Sequence, residues 1–300
     1  MNLAKFRSLL HEHPTIKRLI TPATIIRQHF LKKNERIKQS IYDNLCDILV
    51  DNPVIKLPEF DGQFVIDCRS DLFKRILFHK SYEDQLTKTA LRYIDPNRDT
   101  VDIGANIGFF TVLFAKRLNG KRVLAIEPTA SALAMLHNNI TINNITTSVC
   151  VFEGVASNSR STTTIKSIEG RNEYSTIGAL VHPSISGESY KIEEVSSSPL
   201  DDLITKYQID PGFIKIDVEG SEHLVFDGAR TTLATHRPII LSELSNPLLL
   251  ANGSSSKEVI SMISRYDYTV MDPLMPTLAP GKREFGDILC IPKEFNTRNS

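Results

Sequence analysis

Apolar and polar positions alternate in blocks that predict a repeated order of strand and helix from Thr100 onward. Val101 and Ile103 end a short apolar strand, and residues 109–118 follow with the spacing of an amphipathic helix. Further strands are predicted at 123–127, 148–155, 213–218, 239–244, 268–271 and 287–291, and further helices at 130–140 and 256–264. This order predicts an α/β fold, a Rossmann-like doubly wound, mostly parallel seven-stranded sheet with helices on both faces.

The segments outside this alternation predict additions to the sheet. Residues 50–69 have the pattern of a small antiparallel hairpin, and residues 71–93 a helical pattern interrupted near 79–82. Residues 157–198 are rich in Ser, Thr and Gly, with alternation at 162–168 and 190–195 that predicts hairpin strands over the sheet edge. A segment of this length is usually functional or disordered.

The stretch from Thr100 to Gly108, TVDIGANIG, combines a strand end, a glycine turn and a helix start. Gly104 and Gly108 allow a tight turn and close approach of a ligand to the backbone, as in a nucleotide-type cofactor site. Asp102 lies where a pyrophosphate would otherwise be held, and its carboxylate would repel that group. S-adenosylmethionine (SAM) carries an ammonium and a sulfonium and no phosphate, so the pattern favours SAM as the cofactor.

Two further polar residues support a cofactor site. Asn106 can both donate and accept hydrogen bonds. Glu127 ends the next strand, 23 positions after Gly104, where such folds place an acid on the ribose hydroxyls. A purely structural glycine turn is the alternative. An NAD-type oxidoreductase is a second alternative, disfavoured by Asp102 and by the missing third glycine.

At this point the chain resembles a known family. The strings VDIGANIG, IEP at Ile126 to Pro128 and IKIDVEGSE at Ile214 to Glu222 resemble the FkbM-type SAM-dependent methyltransferases, over about residues 66–292. The resemblance implies a class I methyltransferase domain at 59–300 and methyl transfer, usually to a hydroxyl of a sugar, glycan or natural product. It continues weakly in STIGAL at 175–180 and PLDDLI at 199–204, which favours a substrate-binding flap at 157–198. A Tyr-Glu pair lies before the glycine turn in that family, which implies that Glu83 lines the cofactor pocket. An exposed carboxylate at a helix start is the other interpretation of Glu83.

Five acids are predicted at the carboxyl ends of the strands, where ligands bind in such sheets: Asp102, Glu127, Glu153, Asp217 and Glu243. Glu153 is a candidate acceptor for the adenine amino group. Asp217 and Glu219 are candidates for the base that takes a proton from the acceptor, with His223 behind them. A pair of buried acids is expected to raise one pKa toward neutrality.

A metal-assisted route is the alternative for this acid cluster. Asp217, Glu219 and Glu243 are all oxygen donors that could hold magnesium against the acceptor oxygen. The metal-free route is preferred, because Leu244 and Ser245 follow Glu243 where a further acid or amide ligand would be expected. A non-catalytic scaffold that binds SAM or a nucleotide is the remaining alternative function.

Charge and composition limit the classes of binding partner that the sequence predicts. The formal net charge is zero, so nothing global indicates a nucleic-acid partner. Residues 1–38 carry nine Lys or Arg against two acids, and 1–58 is predicted to be a basic helical extension that contacts anionic membrane or an acidic partner. A loosely packed arm is the alternative. The four cysteines form no paired motif, and no spanning segment or signal peptide is evident, so a cytoplasmic location, with peripheral membrane contact possible, is expected.

Overall fold

The computed structural model describes residues 36–47, 52–79, 82–168, 175–177 and 189–296. The chain divides into two compact units, Met1–Asp51 and Asn52–Ser300. In the first unit, residues 36–47 form helix α1. The basic extension and its membrane contact were predicted mainly from residues 1–35, which lie outside the described residues. Among the described helices, none has the length and apolar character needed to cross a bilayer.

The second unit is built on strands, of which eleven are found in its described part. They are β1 Val54–Leu57, β2 Gly62–Val65, β3 Asp99–Ile103, β4 Val123–Glu127, β5 Val149–Ser157, β6 Ser161–Ser167, β7 Lys191–Pro199, β8 Pro211–Ile216, β9 Ile239–Glu243, β10 Tyr268–Met271 and β11 Asp287–Pro292. Strands β1 and β2 pair with each other, and the other nine form one sheet in the order β10-β11-β9-β8-β3-β4-β5-β7-β6. The six strands from β9 to β7 are parallel, whereas β10, β11 and β6 pair antiparallel with their neighbours.

The predicted mostly parallel, seven-stranded α/β sheet is confirmed in the strands from β10 to β5. The two remaining strands come from the segment predicted as a flap. Strand β7 pairs parallel with β5, and β6 pairs antiparallel with β7, so this hairpin widens the sheet in its own plane. It does not project over the sheet edge, because its backbone groups complete the hydrogen bonding of β5 beyond Gly154.

The helices cover both faces of the sheet. In the second unit they are α2 Asp71–His79, α3 Asp84–Tyr93, α4 Phe109–Arg117, α5 Ala130–Ile142, α6 Leu200–Tyr207, α7 Glu222–Asp227, α8 Asn246–Ala251, α9 Ser256–Ser264 and α10 Lys293–Asn296. Helix α4 was predicted to be amphipathic, and this is wrong, because residues 109–115 are all buried. A second layer, formed by β2 and a 3₁₀ turn at Pro58–Phe60, packs on the side of α4 that would otherwise face water.

Asn139 of α5 and Asn143, which caps the end of that helix, hold this second layer in place. The Asn143 amide accepts from the Gln63 N–H at 3.0 Å and donates to the Gln63 carbonyl at 2.6 Å. Asn139 accepts from the Val65 N–H at 2.7 Å and donates to the Ile107 carbonyl at 2.8 Å. Because Ile107 belongs to the glycine turn, the same side chain connects the β1–β2 hairpin to the region predicted to bind the cofactor.

The two faces of the sheet carry different cores. One face buries aliphatic side chains that include Ile103, Ile126, Ile214 and Ile216. On the other face Phe213 packs against Phe114 of α4. Ring contacts continue from Phe114 to Phe110 and from Phe110 to Phe60, and the rings of Phe60, Phe109 and Phe64 contact one another. Dense packing of this kind fixes α4 and the turn before it relative to the strand ends.

Candidate functional site

A cavity of about 180 Å³ opens at the carboxyl ends of β3, β4, β5, β8 and β9. This edge is where ligands bind in open α/β sheets. Seven of the residues predicted for the site line it: Glu83, Asp102, Gly104, Asn106, Glu127, Asp217 and Glu219. Gly108, Glu153 and His223 are not among its lining residues.

The glycine turn is shaped by backbone that only particular residues tolerate. Gly104 has φ of 75°, and a Cβ there would lie 1.8 Å from the Asp217 carbonyl oxygen. Asn106 also adopts a left-handed conformation, with φ of 49°, and its N–H donates to Glu127 Oε2 at 2.9 Å. Gly108, with φ of 94°, precedes α4, and a Cβ there would lie 2.6 Å from Leu136 Cδ1. Gly108 therefore permits helix packing, and Gly104 permits contact between the β3 and β8 loops.

Glu127 is held by neutral donors. Its Oε1 accepts from the Thr129 N–H at 2.9 Å and the Thr129 hydroxyl at 2.7 Å, and its Oε2 accepts from Asn106. Burial raises the pKa of Glu127, although these hydrogen bonds act in the opposite direction. A carboxylate held this firmly at the cavity wall can accept further hydrogen bonds from ligand hydroxyls.

Asp102 presents one unpaired oxygen. The Thr111 hydroxyl donates to Oδ2 at 2.6 Å, whereas buried Oδ1 has no hydrogen-bond partner among the described residues. Asn106 Oδ1 is unpaired in the same sense. Burial raises the pKa of Asp102, and Lys215 partly offsets this rise. Buried acceptors without partners are uncommon in proteins, and these two fit a ligand that brings ammonium or hydroxyl donors.

Three carboxyl groups lie close together after β8 and at the end of β9. One oxygen from each of Asp217, Glu219 and Glu243 lies within 4.8 Å of the other two. Burial, together with Glu219 and Asp217, raises the pKa of Glu243 well above its usual value. The sequence predicted a raised pKa within the pair Asp217 and Glu219, whereas the raised pKa found here belongs to Glu243. Asp217 has a lowered pKa: burial raises it, but Lys215 and a hydrogen bond from Glu243 outweigh burial.

Lys215 was not among the predicted site residues. Its side chain is buried, and its Nζ lies 3.0 Å from Asp217 Oδ2 and 4.8 Å from the centroid of the Phe110 ring. Lys215 is also the register partner of Asp102 on the adjacent strand. The signal in the sequence was a lysine inside the apolar string FIKI, two positions before Asp217, which places both side chains on one face of the strand.

Glu83 immediately precedes α3, and its side chain does not cap the helix. Its backbone is left-handed, with φ of 49°, and its side chain makes no capping hydrogen bond. Burial raises the pKa of Glu83 to about 7, with Lys215 acting against this rise and Asp217 adding to it. Tyr82 is hydrogen-bonded to Glu83, and its pKa is also raised by burial. Both side chains line the cavity, so the interpretation of Glu83 as an exposed helix-start carboxylate does not apply.

The structure places two predicted residues elsewhere. The Glu153 side chain is 64% exposed and pairs with His137 Nε2 at 3.3 Å, while the next residue, Gly154, lines the cavity. Side chains of consecutive strand residues point to opposite faces, so the Glu153 side chain points away from the cavity that the next residue lines. His223 lies on α7 in a separate groove with Asp227 and Glu258, away from Asp217. Burial lowers the pKa of His223.

Comparison with solved structures gives similarities of low identity. The methyltransferase FkbM from Methylobacillus flagellatus KT is 22% identical (TM-score 0.42), and the match covers 66% of this chain and 44% of that chain. An O-methyltransferase from Bacillus cereus in complex with SAH is 16% identical (TM-score 0.40; 85% and 97% coverage). M. jannaschii TYW2 in complex with AdoMet is 15% identical (TM-score 0.38; 80% and 84% coverage). No curated protein sequence matches the chain.

The family assignment comes from sequence. The model of the methyltransferase FkbM domain matches residues 102–270, which is more than half of the chain. The matched segment contains the glycine turn, Glu127 and the three clustered carboxyl groups. The resemblance predicted from the sequence is confirmed, and the chain belongs to the FkbM family of SAM-dependent methyltransferases.

Proposed function

We propose that this protein transfers the methyl group of SAM to a hydroxyl oxygen of a sugar, glycan or natural product. The observation that carries the proposal is one cavity with two chemically distinct sides. Unpaired buried acceptors, Asp102 Oδ1 and Asn106 Oδ1, lie on one side. A carboxylate with a lowered pKa, Asp217, lies on the other, beside a carboxyl group whose pKa is raised.

The first side fits the donor. Asp102 would accept from the ammonium of SAM, and Glu127 would accept from the ribose hydroxyls. When bound, SAM supplies a methyl group made electrophilic by its sulfonium. The Gly104 turn closely approaches the Asp217 carbonyl, so the groups assigned to the donor lie next to the loop that carries Asp217 and Glu219.

The second side fits removal of a proton from the acceptor. Asp217 exposes 32% of its side chain, so one end of the carboxylate is accessible from the cavity. Asp217 would accept the hydroxyl proton as the oxygen is methylated, a role that typically contributes about 10²–10⁴-fold to rate. Glu243, protonated, donates to Asp217 and leaves Asp217 as the ionised member of the pair. The aromatic walls at Phe109 and Phe110 limit the entry of water.

The acid cluster favours a hydroxyl over an amine as the acceptor. An amine attacks only in its neutral form, and neighbouring carboxylates stabilise its protonated form. A hydroxyl has no cationic form near neutral pH, so the same carboxylates do not inactivate it. They can instead accept its hydrogen bonds and those of neighbouring hydroxyls, as a polyhydroxylated acceptor requires.

The described part of the predicted flap supports its assignment to the acceptor side. Ser175, Thr176 and Ile177 line the cavity together with Ile165 of β6. The Thr176 hydroxyl donates to the Glu219 carbonyl oxygen at 3.2 Å. Thr176 therefore contacts the turn that carries Glu219.

The test is methyl transfer from labelled SAM into fractionated cell extract, followed by identification of the methylated atom. The variant Asp217→Asn should lower turnover by about 10²–10⁴-fold, because an amide cannot take the proton. Its affinity for SAM, measured by calorimetry, should change by less than about threefold. The matched control is Glu153→Gln, an exposed acid on β5, which should leave both values unchanged.

Two results would contradict the proposal. Binding of SAM without transfer to any fraction would support the non-catalytic scaffold instead. A product methylated on nitrogen would overturn the choice of hydroxyl while leaving methyl transfer intact.

A further inference from the structure

Lys215 is a buried cation surrounded by acids from four parts of the fold. Its Nζ bonds Asp217 at 3.0 Å, and its register partner is Asp102. The acids whose charges act on it are Asp102 of β3, Asp217 after β8, Glu83 before α3 and Asp287 of β11. Burying a lysine is costly unless it is paired, so the pairing with Asp217 is needed for Lys215 to remain charged.

A second, smaller cavity lies behind this lysine. It has a volume of about 50 Å³ and is lined by Glu83, Leu86, Lys215, Ile216, Asp217, Leu241, Glu243 and Asp287. Four of these residues, Glu83, Lys215, Asp217 and Glu243, also line the large cavity. Lys215 therefore lies in the wall between the cavities, and its ammonium faces the acids on both sides.

The carboxyl groups of Asp217 and Glu243 share one proton. Two carboxyl groups in hydrogen-bond contact do not both ionise readily, so the proton resides on one of them. The contacts of the two groups are unequal: Asp217 has the ammonium of Lys215 beside it, whereas Glu243 faces the acids Glu219, Asp217 and Glu222. A cation next to one member of such a pair selects that member as the carboxylate.

We propose that Lys215 is a positioning residue that assigns the negative charge of the pair to Asp217 and the proton to Glu243. The inference rests on the proposed role of Asp217 as the proton acceptor. Without the ammonium, Asp217 would carry the proton for part of the time and could not receive one from the acceptor. The cation–π contact with Phe110 holds the ammonium at the Asp217 side of the strand.

The protonation pattern agrees with this assignment. Lys215 is the main influence lowering the pKa of Asp217, against burial, which raises it. Burial lowers the pKa of Lys215, but Asp217, Asp102 and Glu83 together raise it above its usual value. The groups that interact electrostatically with Asp217 include Tyr82, Glu83, Asp102, Lys215, Glu222, Glu243 and Asp287. Lys215 is the cation in hydrogen-bond contact with Asp217.

The test measures the titration of Asp217 directly by ¹³C NMR of the full chain labelled at aspartate carboxyl carbons, with Asp217→Asn identifying the resonance. In Lys215→Met the titration midpoint of Asp217 should rise by about two pH units, the usual effect of losing a neighbouring cation. Lys215→Arg keeps the charge and should stay within about one pH unit of the wild type. Lys121→Met, at an exposed position, is the control and should leave the midpoint unchanged.

An unchanged midpoint in folded Lys215→Met would overturn the inference. If that variant does not fold, denaturant unfolding of Lys215→Gln with and without Asp217→Asn takes its place. Removing the Asp217 charge should then recover part of the lost stability, and the absence of any recovery would overturn the inference. The titration needs neither SAM nor an acceptor, so it can succeed or fail independently of the proposed function.

Once an acceptor is known, the acidic limb of the turnover profile should move with the midpoint. A purely structural lysine would lower stability and leave that limb where it is.

Discussion

The two sides of the cavity are built in different ways. On the donor side, Asp102 and Glu127 are held by neutral donors: the Thr111 hydroxyl, the Asn106 N–H and both donors of Thr129. On the acceptor side, Asp217, Glu219 and Glu243 face one another, and Lys215 supplies the compensating charge. The donor side therefore depends on backbone shape, and the acceptor side depends on the balance of charge.

This difference determines what each side tolerates. A change of backbone conformation should damage the donor side most, because two of its four hydrogen bonds come from peptide N–H groups. A change of charge should damage the acceptor side most, since each carboxyl group there influences the protonation of its neighbours. Mutations that change backbone conformation without charge, or charge without backbone conformation, therefore test the difference between the two sides.

The largest effect is expected from Gly104→Ala. Its φ of 75° is unfavourable for alanine, and the new Cβ would lie 1.8 Å from the Asp217 carbonyl oxygen. We expect the free energy of unfolding, measured by denaturant titration, to fall by about 3 kcal/mol or more.

The control for this change is Gly120→Ala, because Gly120 also has a positive φ but no atom within 4 Å of the added Cβ. It should lose only about 1–2 kcal/mol. Equal losses in the two variants would show that contact with the Asp217 loop is unimportant for the fold.

A smaller effect is expected from Asp102→Ala and Glu127→Ala. Each removes one charged hydrogen bond to SAM, worth about 1.5–3 kcal/mol, so SAM affinity measured by calorimetry should fall about tenfold or more. Glu153→Ala removes an exposed acid from the neighbouring strand end and should leave affinity unchanged. Unchanged affinity in both cavity variants would remove the donor site as assigned.

The smallest effect is expected from removal of divalent metal. Asp217, Glu219 and Glu243 are close enough for their oxygens to bind one cation, so the geometry permits a metal ion. The route that uses Asp217 as base needs none, and treatment with EDTA should change turnover by less than about twofold. Loss of turnover with EDTA and its recovery with magnesium would identify these three acids as metal ligands. The acceptor side would then depend on a bound metal ion.

The sequence was sufficient for the parts of the site that are continuous in the chain. Asp102, Gly104 and Asn106 lie within five residues, so a local pattern fixes their geometry once the strand and the helix are recognised. Glu127 follows at a spacing set by one helix and one strand. The sheet of strands β10 to β5 was equally accessible, because each strand has an apolar pattern of its own.

The rest depends on directions and distances that no local pattern encodes. Glu153 was chosen at the correct strand end, but its side chain points away from the cavity, and Gly154 lies there instead. His223 was grouped with Asp217 by its position in the chain, yet α7 turns it toward another groove. Lys215 was overlooked because a lysine in an apolar strand has meaning only when Glu83, Asp102 and Asp217 are brought around it.

The hairpin of β6 and β7 occupies one end of the sheet, and that location has an evolutionary consequence. Among the described strands β6 pairs with β7 alone, and the strands that carry Asp102, Glu127 and Asp217 lie on the far side of β5. Exchange or reshaping of this terminal hairpin between relatives leaves those strands and their pairing untouched. Such an exchange can replace Ile165 and residues 175–177 of the cavity wall while methyl-donor binding is inherited unaltered. A lineage can in this way diversify the compounds it modifies without passing through an inactive ancestor.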